Sequence, residues 1–138
     1  MTSEALRQLK FRQLPCTYAI VRLPPNAPVP DWATRGDFNS ITRTAAELSI
    51  VCPAANIPKD IDRGLPWICF KLDGPSSFSQ TGILLSFIEP LSENSVPILA
   101  ISTYDTDYVL VQAECMGRAV DLLRKAGHEL VAGESSGS

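Results

Sequence analysis

Two short polar stretches carry the residue types from which a site for a small zwitterion can be built. The first is Gly74-Pro75-Ser76-Ser77-Phe78-Ser79-Gln80-Thr81-Gly82, where a helix is expected to begin. Ser77-x-x-Gln80 has the form of a capping box; with Ser79 as the cap instead, Phe78 can staple onto Ile83. Either start leaves the backbone N–H groups of Phe78 to Thr81 without partners inside the helix. Together with the helix dipole they favour a carboxylate. Gly82 permits either close backbone approach by a ligand or close packing of helix on sheet. The second stretch, Ser102-Thr103-Tyr104-Asp105-Thr106-Asp107, supplies acids, and either Asp105 or Asp107 is a natural counter-ion for an ammonium group. A plainer reading exists for the same residues, since serines cap helices and aspartates stabilise turns through their own backbone.

Other chemistries find less support. His128 is the one histidine, placed at the start of the last expected strand, with no Cys-His or Ser-His-Asp pattern around it. Asp105 and Asp107 stand two apart in a turn, and such acids need not converge on one reacting atom. No Gly-rich phosphate loop is present. Cys16, Cys52, Cys69 and Cys115 form no CxxC pair, and reduced, packed thiols are expected. No catalytic residue, metal ligand set or cofactor is therefore assigned. Glu47 with Ser49 offers either a second wall to a pocket or, the favoured reading, a strand-end carboxylate satisfied by nearby backbone or by Arg43. The net charge of −3 and scattered Lys and Arg residues argue against nucleic acid. The longest apolar run, Ile83 to Ile88, is too short for a bilayer, and Glu4, Arg7, Lys10 and Arg12 do not resemble a signal peptide. The expected address is the cytoplasm.

The elements that must hold the two stretches are readable from periodicity. Ile68, Phe70 and Leu72 alternate along a strand that Asp73-Gly74-Pro75 ends. Ile83, Leu84, Phe87, Ile88 and Leu91 make one broad helical stripe, strained near its end by Pro90. Val96 to Thr103 is a nearly continuous apolar strand, Tyr108 to Val111 returns it, and a second helix runs from about Glu114 to Ala126. Gly127 is its left-handed cap, and residues 128–131 form a short last strand. The order βαββαβ implies both helices on one face of a four-stranded antiparallel sheet. Before it, strands at 17–23, 38–43 and 47–52 and a helical turn near Trp32 read as a reduced version of the same plan, although Thr44-x-x-Glu47 also fits a helix start.

Four blocks together resemble a known family. Phe38 to Val51, Gly74 to Ile83, Ile101 to Val111, and Ala119 to Leu123 through Gly127-His128 look like the blocks of the CASTOR-type ACT proteins. The resemblance runs from about Tyr18 to Leu130, and its most specific part is Ser102-Thr103-Tyr104 followed by Asp107 and an apolar strand. It implies an α+β, ferredoxin-like βαββαβ ACT domain at about 66–132 packed with a reduced ACT-like half at 16–65. Residues 1–15 become an N-terminal extension and 133–138 a disordered tail. It also implies a non-catalytic protein that binds an amino acid between ACT units, at a helix N-terminus and the adjacent strand end. The ligand contacts carried over are Ser77, Gln80, Thr103, Tyr104 and Asp107. Ser77 stands where the family has glycine and Gln80 where it has glutamate, so an amino acid is implied more strongly than arginine. The alternative is an ACT-fold interaction or oligomerisation module, for instance a homodimer, with no small ligand.

Overall fold

The structure, a computed structural model, describes residues 8–73 and 80–131, with the side chains of Gln80 and Thr81 outside that description. The chain divides into two compact units: a larger one of Met1–Pro15 with Ile68–Ser138, and a smaller one, Cys16–Trp67, set into it along the sequence.

In the larger unit the strands are β1 (Lys10–Gln13), β5 (Trp67–Leu72), β6 (Ile98–Ser102), β7 (Asp107–Gln112) and β8 (Glu129–Leu130), with helices α1 (Gln80–Glu93) and α2 (Met116–Lys125). From β5 onward the order is the expected βαββαβ. The sheet differs from the expected one in having five strands, ordered β8-β1-β5-β7-β6. β1, drawn from the expected extension, lies between the first and last strands of the motif. It runs antiparallel to β5, with Phe11 opposite Leu72, and parallel to β8, with Phe11 opposite Leu130. The cause is alternation: Leu9 and Phe11 are buried while Lys10 is exposed and Arg12 half-buried. Phe11 stacks edge-on against Phe70 at 5.2 Å and Phe87 at 5.1 Å. Around these rings Val109, Val111, Leu91, Ala119, Val120 and Leu123 complete one core, so both helices cover the same sheet face.

The ends of both helices have local causes. α2 closes in a Schellman arrangement: Gly127 N–H donates to Arg124 O at 2.9 Å and His128 N–H to Leu123 O at 3.0 Å. Gly127 has φ +99°, and a Cβ there would meet the Gln8 side chain at 2.6 Å. Pro90 does not stop α1, which continues to Glu93; Asn94 caps it by donating its side-chain N–H to Pro90 O at 2.7 Å. His128, expected at the start of the last strand, lies just before it, buried and hydrogen-bonded through both ring nitrogens.

The smaller unit holds β2 (Tyr18–Leu23), β3 (Ser40–Arg43) and β4 (Leu48–Pro53), antiparallel in the order β3-β4-β2. Single 3-10 turns at Asp31–Thr34 and Ala54–Asn56 stand in place of longer helices. The Asn56 side chain donates to the carbonyls of Trp32 and Arg35, fixing one turn to the other. Thr44 does not open a helix. Its hydroxyl accepts N–H bonds from Ala46 and Glu47, and its own N–H reaches Glu47 O, which closes the β3–β4 hairpin. Glu47 pairs with Arg22 at 3.5 Å rather than with Arg43, which donates to the Pro25 carbonyl instead.

If β1 is integral to the core, Phe11→Ala lowers stability by about 3–5 kcal/mol, whereas truncating an appended tail would cost nothing measurable. Urea unfolding followed by far-UV circular dichroism decides it. Gly127→Ala, which strains the cap and crowds Gln8, is expected to cost about 1–3 kcal/mol in the same assay.

Candidate functional site

The acidic stretch forms the turn between β6 and β7, at the end of the sheet. Ser102 and Asp107 are opposite each other in register, and the Ser102 hydroxyl donates to Asp107 Oδ1 at 2.5 Å. Asp107 is only 7% exposed. Among the described residues the Ser102 hydroxyl is a hydrogen-bond partner of this carboxylate. Thr103 builds the turn itself. Its hydroxyl donates to Thr106 O at 3.0 Å and accepts the Thr106 N–H at 3.2 Å, and its own N–H reaches Thr106 O at 2.8 Å. Tyr104, at 98% exposure, stands in solvent at the tip of the turn, and Asp105 is exposed beside it. Of the two aspartates only Asp107 is placed in a sheltered setting.

Residues not picked out from the sequence join Asp107 at the end of β5. The Thr106 hydroxyl donates to Leu72 O at 2.7 Å, tying the turn to the last residue of β5. Asp73 follows directly; its N–H donates to Lys10 O at 2.8 Å, and its carboxylate accepts Arg12 Nε at 2.9 Å. Arg12 therefore reaches the strand end from β1. The signal for Thr106 was present in the Thr103-x-x-Thr106 spacing, which suits a hydroxyl-closed turn. Arg12 gave none, because its approach depends on the register of β1 against β5.

Gln80 is the first residue of α1, so the helix start falls in the expected stretch. Ser77 and the Gln80 side chain lie outside the described residues. α1 runs for 14 residues, and the dipole of a helix of that length favours an anion at its N-terminal end.

Burial pushes the Cys52 thiol up to about 11, far from the lowered range of a nucleophilic cysteine. Burial, then Cys69 and Asp105, raise the Tyr108 hydroxyl above its ordinary value. No disulfide joins the four cysteines. Among the described residues no group of three or more His, Cys, Asp or Glu is placed to hold a metal ion. Nor is any helix among them long and apolar enough to cross a membrane.

Comparison with known proteins agrees with this architecture. Residues 64–125 match the ACT domain family, and residues 16–60 match a family of N-terminal domains. A crystal structure of an Agobacterium tumefaciens protein superposes with a TM-score of 0.85 at 44% identity, covering 92% of this chain and 95% of that one. A Vibrio cholerae protein of unknown function, described as a possible transport protein, shares the fold with a TM-score of 0.73 at 17% identity over 91% of this chain and 96% of that one. The cytosolic arginine sensor for mTORC1 subunit 1 of Bos taurus is 32% identical over 77 residues, covering 47% of this chain. The chain spans 23% of that sensor's length. With the βαββαβ order, two helices on one face and the family match over residues 64–125, this segment of the chain is an ACT domain.

Proposed function

We propose that the protein is a non-catalytic, cytoplasmic sensor that binds a free amino acid at the β6–β7 turn and the start of α1. The observation that carries this reading is Asp107, a carboxylate 7% exposed that accepts the Ser102 hydroxyl. An α-ammonium group at its second oxygen would supply a positive charge. The ligand carboxylate goes to the amides at the start of α1, with Ser77 and Gln80 at its side. Thr103 and Tyr104 frame the opening, Thr103 by holding the turn and Tyr104 as a surface aromatic able to fold over a ligand. The ACT domain and the likeness to a cytosolic arginine sensor support the amino-acid class.

Thermal unfolding in millimolar concentrations of each standard amino acid tests the proposal. A ligand present at about a hundred times its Kd raises stability by about 2.7 kcal/mol, a shift of several degrees. Asp107→Asn is expected to weaken that response at least about tenfold, the loss of one charge-assisted bond. Ser102→Ala, which keeps the carboxylate, retains it. No shift with any amino acid overturns the proposal.

One observation favours a second reading, self-association. Among the described residues β6 pairs with β7 alone, and Ile98-Leu99-Ala100-Ile101 carries no charge or proline to discourage a second strand. Antiparallel pairing of β6 with its copy about Ala100 gives a two-fold dimer. Light scattering would return a dimer mass for the native chain and a monomer mass for Ala100→Lys; a native monomer at tens of micromolar, roughly, removes this reading.

A further inference from the structure

The single histidine of the chain reports its own protonation state through its neighbours. His128 is 5% exposed. The Leu9 N–H donates to Nδ1 at 3.1 Å, so Nδ1 is an unprotonated acceptor. Nε2 lies 2.9 Å from the Ser86 carbonyl oxygen, which can only accept, so Nε2 carries the hydrogen. The two contacts together select the neutral Nε2–H tautomer. Ser86 O is also the carbonyl that an amide at position 90 would reach in an unbroken helix, and Pro90 has no amide hydrogen. The imidazole thus donates where the proline cannot. Its position is set by the Schellman cap immediately before it, in which the His128 N–H holds Leu123 O.

We propose that His128 is a proton-operated clasp: neutral, it ties β1, α1 and the start of β8 together, and on taking a second proton it releases them. A hydrogen on Nδ1 would face the Leu9 N–H, donor against donor, and leave a cation in the core. The surroundings offer no relief. From α1 come the Ser86 carbonyl and the Phe87 ring, centroid to centroid 5.4 Å; from β1 comes an amide; from α2 comes a carbonyl already engaged by the backbone. The charged side chains of these elements are Lys10 and Arg12 on β1, Glu89 and Glu93 on α1, Arg118, Asp121, Arg124 and Lys125 on α2, and Glu129 on β8 itself. Arg12 pairs with Asp73 and the others are exposed; among the described residues none forms an ion pair with the ring.

The sign follows from the contacts. The folded chain holds the neutral ring and the unfolded chain binds the extra proton freely, so stability present at neutral pH is lost as pH falls. β8 has two residues and β1 as its partner, so opening the clasp frees that edge first. This holds whether or not an amino acid binds.

Nitrogen-15 NMR of the full-length chain tests the clasp on its one histidine. The neutral Nε2–H tautomer is expected at about pH 7.5, and on acidification toward about pH 5 the Leu9 amide protection factor is expected to fall roughly tenfold or more when the ring takes its second proton. An Nδ1–H tautomer or a doubly protonated ring at neutral pH overturns the proposal, as does Leu9 protection that is unchanged after the ring has titrated. His128→Phe provides the second readout. The native melting temperature should fall by several degrees across this pH interval while that of the variant stays level, and parallel profiles would refute the clasp. If the variant does not fold, the ring spectrum and Leu9 protection of the native chain decide the matter.

Discussion

The insertion of β1 between β5 and β8 is the constraint on which the larger unit depends. Phe11 occupies the centre of the core, in contact with a ring from β5 and one from α1. Lys10 O fixes the Asp73 amide and Arg12 fixes its carboxylate, so the same strand sets where the chain leaves β5 for α1. Leu9, one residue earlier, supplies the amide that orients His128. Core packing, the end of β5 and the seat of the buried histidine thus rest on consecutive residues, Leu9 to Arg12, at the start of one short strand.

The turn that carries Asp107 illustrates how a site is kept rigid without large structures. Thr103 and Thr106 exchange hydrogen bonds across the turn, and Thr106 spends its own hydroxyl on Leu72. The acid is then held at the sheet end by the hairpin register with Ser102. A carboxylate positioned this way loses little rotamer freedom when it meets a cation, since the ordering cost has been met during folding.

Much of this was legible in the residues. The stripe Ile83–Leu84–Phe87–Ile88–Leu91, the alternation Ile68–Phe70–Leu72 and Gly127 each state a local geometry that tertiary contacts reinforce. What stayed hidden depends on partners far along the chain. Four residues reading Lys-Phe-Arg-Gln do not announce a strand until β5 and β8 are placed on either side. His128 looks like an ordinary residue after a helix cap until Pro90 is seen to lack the hydrogen that Ser86 would otherwise receive. Thr103 carries the pattern of a ligand contact, yet its hydroxyl works inside the turn, a use that spacing alone does not separate from binding.

The parallel pairing of β1 with β8 also bears on how the chain is made. The smaller unit is continuous in sequence, so everything it needs has left the ribosome once Trp67 has emerged. The larger unit is not: β1 is synthesised before the smaller unit, and its partner β8 only after it. Until then Leu9 and Phe11 must wait with part of their apolar surface uncovered, and closing so long a loop is slow compared with local folding. The exposed charges of Lys10 and Arg12, alternating with those apolar residues, keep the waiting segment soluble during that interval.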